Sequence, residues 1–175
     1  MSLGDVDRVR VASLRAMAHP LRLRMLSLLT GAELTAAEVA RELGITHANA
    51  SYHLRQLEAA GVVEVAEGER IRGGQTRRYH YLLGSLDGSE ASPVGRAAAW
   101  HAVAEELQRR AAEEVAGKRL LVDAELWVDP EVWAATVAAV HAASTALHEA
   151  ARPPRSAGTV RVSASVGLFP LREQR

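Results

Sequence analysis

The sequence has no cysteine, and its hydrophobic residues form no long run. Without cysteine, neither a disulfide framework nor a thiolate metal site can form, and the composition suits a reducing compartment. No apolar stretch approaches the roughly 20 residues that span a bilayer, and the opening MSLGDVDRVRV is too charged for a secretory signal peptide. We therefore expect a cytoplasmic protein without a membrane partner.

Familiar catalytic motifs are missing as well. The chain has no P-loop, no G-x-G-x-x-G turn, no G-x-S-x-G elbow and no cysteine nucleophile. The paired glutamates at 105–106 and 113–114 lie beside Arg109 and Arg110, which is typical of a solvated helix face. We expect no enzyme activity and no cofactor.

Histidines are present but scattered, seven along the whole chain. His141 and His148 are two helical turns apart, on the order of 10 Å at about 1.5 Å per residue. A zinc site on one helix favours ligands four residues apart, and that spacing is absent. We predict no metal site within one chain, although ligands donated across a dimer would leave a metal-sensing protein as an alternative.

Neither sign of charge is in excess, because 21 Lys and Arg balance 21 Asp and Glu in 175 residues. A surface coated in positive charge is therefore excluded, and any binding of nucleic acid needs a local basic patch. The length suits one compact domain or two small ones.

The first half of the sequence is predicted to form short helices with clear start and stop signals. Pro20 fits the first position of a helix that ends at Gly31, and Thr35 with Glu38 forms the pattern of a capping box. Gly44 ends that second helix, and after "IT" the sequence THANASYHLRQLEAAG begins a third with Thr46 as its cap. Two helices joined by so short a turn predict a helix-turn-helix.

The third helix is predicted to have one anchored and one free face. On a wheel of 3.6 residues per turn, an apolar stripe forms from Ala50, Leu54, Leu57 and Gly61. His53 turns toward this stripe, which indicates a packed residue rather than a base reader. After the helix, VVEVAE and RRYHYLL read as strands around GERIRGGQT, a glycine-containing hairpin that forms a wing. Its arginines are Arg70, Arg72, Arg77 and Arg78.

These elements resemble the winged-helix regulators of the ArsR/SmtB family. The resemblance rests on LRAMAHPLRLRMLSLL, on LTAAEVARELGITHANASYHLRQLEAAGVVE and on the wing RGGQTRRYHYL, and it covers roughly residues 13 to 83. It implies a bacterial transcriptional regulator, a repressor, that binds palindromic double-stranded DNA as a homodimer through the helix from Thr46. By position it implies DNA contacts from His47, Asn49, Ser51, Tyr52 and Arg55.

The chemistry of these side chains agrees with that implication. The capped N-terminus at Thr46 suits phosphate oxygens, Asn49 can pair with adenine, and Arg55 can reach a guanine edge with two donors. Tyr52 can meet a thymine methyl or a phosphate, and wing arginines can contact the backbone or a narrow minor groove. The alternative is a winged helix that binds another protein through the same face.

The second half is predicted to be a separate unit. GSLDGSEASP reads as a linker, so we divide the chain into a winged helix-turn-helix domain at 1–83, a linker at 84–92 and a C-terminal region at 93–175. A long helix ends at Gly117, RLLVDAELWV alternates like a strand, a second helix follows Pro130, and TVRVSASVGLFPL alternates again. The predicted class is mostly α with small β, with a helix-strand-helix-strand region for dimerisation or sensing.

Two sites are predicted in that region. The first long helix is the expected dimer seam, because small residues allow close approach while larger ones supply apolar area; the seam is Trp100, Ala104, Leu107 and Ala111. Trp127 shares a strand face with Asp123 and Glu125, an arrangement that can line a pocket for a cationic or amphipathic small-molecule effector. The alternative is that the tryptophans fill a core.

Overall fold

The computed structural model of the protein describes residues 18–71, 74–82 and 93–172. Within these ranges the chain forms five helices and one three-stranded sheet. In chain order they are α1 (Pro20–Thr30), β1 (Leu34–Thr35), α2 (Ala36–Leu43), α3 (His47–Ala59), β2 (Val63–Ile71), β3 (Gly74–Tyr81), α4 (Pro93–Ala111) and α5 (Pro130–Glu149). This order confirms the predicted class, a mostly α protein with a small sheet and a winged helix-turn-helix.

Local signals fix the ends of the helix-turn-helix. The hydroxyl of Thr35 accepts from the backbone N–H of Glu38 at 3.2 Å, and the Glu38 carboxylate accepts from the Thr35 N–H at 2.7 Å, which completes the predicted capping box. Gly44 closes α2 in the left-handed region at φ 65°. Thr46 then accepts from the Asn49 N–H at 3.2 Å and caps α3.

The wing is an antiparallel hairpin joined to the rest of the domain by β1. The strand order is β1-β3-β2, so β3 lies at the centre. Val63 pairs with Tyr81 and Val65 with Tyr79, and the register shifts between Glu67 and Arg70. The hairpin therefore projects from a sheet that is anchored beside the three helices.

One apolar core holds the helices and the sheet together. Its largest fully buried side chains are Met25, Leu29, Val39, Leu54, Leu57 and Val62. They come from α1, α2, α3 and the residue just before β2, and burial of each contributes about 1.5–3 kcal/mol. The predicted apolar stripe of α3 is confirmed by this core, which fixes the direction in which the other face of α3 points.

The C-terminal region agrees with the prediction in its helices and differs in its strands. Both long helices are present, although α4 ends at Ala111 rather than at Gly117. The predicted strands at 119–128 and 159–171 are irregular backbone, which corrects that part of the prediction. Alternating residues define the faces of a strand but supply no partner for its backbone groups. In the described chain, the one backbone hydrogen bond of either segment is the short-range bond from the Thr159 N–H to the Ser156 carbonyl.

The two halves meet at two places. α4 packs against α1, where Ala99 and Ala102 are buried. The turn after α5 reaches the helix-turn-helix: Arg155 donates to the Glu42 carboxylate of α2 at 3.0 Å. The predicted linker at 84–92 lies outside the described residues, and the division at 83 and 93 stays a prediction.

Candidate nucleic-acid interface

The exposed face of α3 is the centre of the candidate interface. Helix α3 buries Ala50, His53, Leu54 and Leu57 and turns its other side to solvent. Most of the predicted contacts are exposed on that side: Thr46, His47, Asn49, Tyr52 and Arg55; Ser51 is half-buried. Tyr52 exposes 54% of its surface, although it is a large aromatic residue on a well-packed helix. The helix therefore presents hydrogen-bonding side chains from a fixed backbone.

The start of α3 favours a negative charge. Thr46 at the N-cap and His47 in the first turn are both exposed, and the Thr46 hydroxyl already binds the Asn49 N–H. The helix dipole places partial positive charge at this end, where a phosphate oxygen can approach. Further along the same helix, Arg55 is exposed to solvent.

His53 is a packed residue, as its position on the helical wheel predicts. Only 7% of its surface is exposed, and its ring lies 4.7 Å from the ring of His19 and 5.2 Å from that of Tyr52. Burial lowers the pKa of His53, and the nearby His19 and Arg22 lower it further. The lowered pKa favours the neutral ring, which packs between His19 at the N-cap of α1 and the exposed Tyr52.

The wing arginines that the structure describes are engaged by their own domain. Arg77 forms an ion pair with Glu58 of α3, and its guanidinium lies 5.6 Å from the ring centre of Tyr79. Arg78 donates to the backbone carbonyl of Glu33 at 2.8 Å. These contacts join the wing to α3 and to the residue just before β1, which the sequence analysis did not predict.

The other two wing arginines are Arg70 and Arg72. Arg70 lies on β2 opposite Gln75, on the far side of the register shift from the core. Arg72 lies outside the described residues.

Glu38 links the wing to the helix-turn-helix. Its carboxylate accepts from the Thr35 N–H, and this bond is the main cause of its lowered pKa; Arg78, at 3.6 Å, lowers the pKa further. The same carboxylate thus caps α2 and faces a cation of β3. Because both interactions need the charged form, Glu38 stays ionised at neutral pH.

The predicted seam lies on a partly covered side of α4. Trp100 and Leu107 are 42% and 46% exposed, and Ala104 and Ala111 are exposed as well. The Trp100 ring contacts Phe169 of the same chain at 5.2 Å between ring centres. The seam stays a prediction, and its aromatic residue already has a partner in the tail.

The predicted effector residues do not converge on an enclosed site. Trp127 lines an open depression of about 480 Å³ together with Val128, Asp129 and Val132. Asp123 and Glu125 are exposed and lie outside that lining. Among the described residues, no three His, Asp or Glu side chains lie close enough to hold a metal ion, and no helix is long and apolar enough to cross a membrane. The effector site stays a prediction.

Comparisons with known proteins bear on the first half of the chain. Residues 17–66 match the family model of a helix-turn-helix domain. A solved structure described as a possible transcriptional regulator for arsenical resistance is 27% identical, with a TM-score of 0.35; the match covers 59% of this chain and 97% of that one. HlyU from Vibrio cholerae N16961 is 24% identical, with a TM-score of 0.37, and the match covers 64% of this chain and 99% of HlyU. None of the curated proteins matches the chain significantly.

The matched residues are those of α1, α2, α3 and the start of β2. They include the capped turn between α2 and α3 and the exposed face of α3. The helix-turn-helix predicted from the sequence is thereby confirmed: residues 17–66 match the helix-turn-helix domain family, and with the β2–β3 hairpin they form a winged helix-turn-helix.

Proposed function

We propose that the protein is a cytoplasmic repressor that binds a palindromic operator as a homodimer, with α3 in the major groove. The observation that carries the proposal is the division of α3 into a buried apolar stripe and an exposed polar face. A helix held rigidly by its core can present side chains to base edges at constant spacing.

The exposed side chains divide into two roles. Asn49 and Arg55 have the donor and acceptor groups that distinguish adenine and guanine in the major groove, and Tyr52 can contact a thymine methyl. Thr46, His47 and Ser51 lie at or near the positive end of the helix, where they favour phosphate contacts that set the register.

The wing supplies sequence-independent contacts in this proposal. Arg70 pairs with Gln75 near the end of the β2–β3 ladder, where a strand pair can follow the DNA backbone, and Arg72 is the next arginine along the sequence. Arg77 and Arg78 are held by Glu58 and by the Glu33 carbonyl, so they position the wing and contribute to the local positive charge at its base.

We expect a homodimer because a single recognition helix contacts too few base pairs to specify an operator. One recognition helix reads only a few base pairs, and a two-fold pair of helices about 34–36 Å apart reads an inverted repeat with half-sites one helical turn apart. The proposed seam is the exposed side of α4 with Trp100, Ala104, Leu107 and Ala111.

The test is selection of bound fragments from the source genome, footprinting, and titration of Arg55→Ala. We expect the operator affinity of this variant to fall by about 1 to 3 kcal/mol, with relaxed preference at one base position. The matched control is Arg172→Ala, which removes the same charge from the exposed tail and should leave operator affinity nearly unchanged.

The contrary outcomes are distinct. Equal losses on operator and random DNA would move Arg55 to the phosphate contacts. If no fragment is bound in a salt-dependent manner, the winged helix serves protein contacts instead. Binding that requires added zinc would restore the metal-sensing alternative, with ligands from both subunits.

A further inference from the structure

The segment of residues 160–168 contacts α4 and the turn that follows it through one side, and its other side is exposed to solvent. Arg161 donates to the Glu113 carboxylate at 2.6 Å, and Ser165 accepts from Arg110 at 3.2 Å. Phe169, two residues beyond Gly167, continues this side with its contact to Trp100. The alternate residues face away from these contacts and are 83%, 64%, 58% and 42% exposed: Val160, Val162, Val166 and Leu168.

The backbone N–H and carbonyl groups of this segment also lack backbone hydrogen-bond partners in the described chain. Within the described part of the chain, no N–H or carbonyl of residues 160–171 forms a hydrogen bond with another backbone group. A segment that has an apolar face and backbone groups without backbone partners can pair with another chain, as an open strand edge does.

The order of residues in the segment is nearly symmetric about Ala164. Reading outward, Ser163 matches Ser165, Val162 matches Val166, and Val160 matches Leu168. In an antiparallel pair of identical strands centred on Ala164, each of these residues lies opposite its match in the other copy. The aliphatic residues then meet on one face and the serines on the other.

We propose that residues 160–168 pair as an antiparallel β-strand with the same segment of a second copy, about a two-fold axis at Ala164. The proposal rests on the homodimer of the proposed function and assigns it a second, intermolecular contact besides α4. It also gives the sequence-predicted strand the backbone partner that a single chain lacks.

Charge favours this register. Arg161 is the one charged residue of the segment, and in the antiparallel pair it lies opposite Gly167 of the other copy. In a parallel in-register pair the two Arg161 side chains would lie side by side and repel each other. The two-fold arrangement therefore avoids the like-charge contact without any further change.

The C-terminal region exposes enough apolar surface to form an interface with a second copy of the chain. Of the twenty large hydrophobic side chains exposed in the described chain, fifteen lie between Leu120 and Leu171. Helix α5 has no buried residue and carries no Lys or Arg. Monomers rarely expose contiguous apolar patches above a few hundred Å², whereas homodimer interfaces bury roughly 1,000 Å² or more per copy. Pairing of the strands brings two such tails together and buries part of this apolar surface between the two copies.

The chain has no cysteine, so a single introduced thiol reports the pairing directly. In Ala164→Cys the two residues at the axis have Cα atoms about 4.5–5.5 Å apart, within the range of a disulfide. We expect most of the full-length protein to form a disulfide-linked dimer on mild oxidation. Val160→Cys is the matched control: its two copies lie about 27 Å apart at about 3.4 Å per residue, so it should stay unlinked.

Mixed pairs test the register. Val160→Cys mixed with Leu168→Cys, and Val162→Cys mixed with Val166→Cys, should each give cross-linked heterodimers. If Ala164→Cys disturbs assembly, as judged by sedimentation and by helical circular dichroism, these pairs decide the question. Failure of all of them to cross-link overturns the strand pairing.

The outcomes separate this inference from the proposed function. A dimer that binds its operator but cross-links at none of these positions overturns the tail pairing and leaves the repressor intact. A wild-type protein that sediments as a monomer at the concentration of operator binding overturns both. Equal cross-linking of Ala164→Cys and Val160→Cys indicates nonspecific collision and also overturns the pairing.

Discussion

At the scale of single residues, α3 shows what a helical wheel can predict. The wheel assigns Leu54 and Leu57 to the core, His53 to the packed side and Arg55 to solvent, and the burial of each agrees. These assignments succeed because one face of a helix must be covered, and the spacing of apolar residues identifies that face. The Arg77–Glu58 ion pair was not predictable in this way, since it joins residues 19 positions apart through the folding of the hairpin.

His53 gives a prediction of pH dependence. Its pKa is lowered in the folded state by burial and by His19 and Arg22, so the unfolded chain takes up a proton near pH 6.5 while the folded chain does so only at lower pH. The stabilisation is complete above about pH 6.5 and is lost as the pH falls through the lowered pKa. Urea unfolding at pH 7.5 and 5.0 should show this loss.

Two variants test whether His53 is the group that causes this pH dependence of stability. His53→Leu should reduce the difference in unfolding free energy between the two pH values, whereas His80→Asn, on the exposed part of β3, should not. An unchanged difference in His53→Leu would assign the pH dependence to other groups.

At the scale of elements, helices and strands differed in how far the sequence determines them. The caps at Thr35, Gly44 and Thr46 are local hydrogen bonds, and each lies where the sequence places it. The segments 119–128 and 159–171 alternate as strands do, but a strand also needs a backbone partner, and alternation does not predict which segment that partner is. The wing hairpin forms because its partner is the next segment of the chain.

The wing element gives a prediction about charge. Glu58→Gln removes the carboxylate that holds Arg77, and we expect affinity for operator and random DNA to rise several-fold. The plot of log affinity against log salt should steepen by about one phosphate contact, because Arg77 becomes available to the DNA backbone. Titration at three salt concentrations measures both effects.

Glu64→Gln is the control for this change. It removes an equal charge from the exposed side of β2 and is not part of the Arg77 ion pair. A rise of the same size in both variants would show that general charge, and not the release of Arg77, is responsible.

At the scale of the whole molecule, the tail contacts the DNA-binding half. Arg155 pairs with Glu42 of α2, and the backbone of Arg152 approaches Gly31 at the end of α1. A substitution at either place can therefore change how the tail sits on the helix-turn-helix without touching the exposed face of α3. Neither contact could be predicted from sequence, because Arg155 and Glu42 are 113 residues apart.

Gly31 tests whether this docking exists in solution. A Cβ at Gly31 would lie 2.5 Å from the carbonyl oxygen of Arg152, so Gly31→Ala must displace the turn after α5. We expect faster tryptic cleavage after Arg155 together with a loss of about 1–3 kcal/mol in unfolding free energy, as is typical of overpacked sites. Gly44→Ala is the control, because its Cβ would meet nothing within 4 Å and its cost comes from the positive φ alone. Gly44→Ala should therefore lose stability without exposing Arg155, and cleavage that is equally slow in wild type and Gly31→Ala would contradict the docked turn.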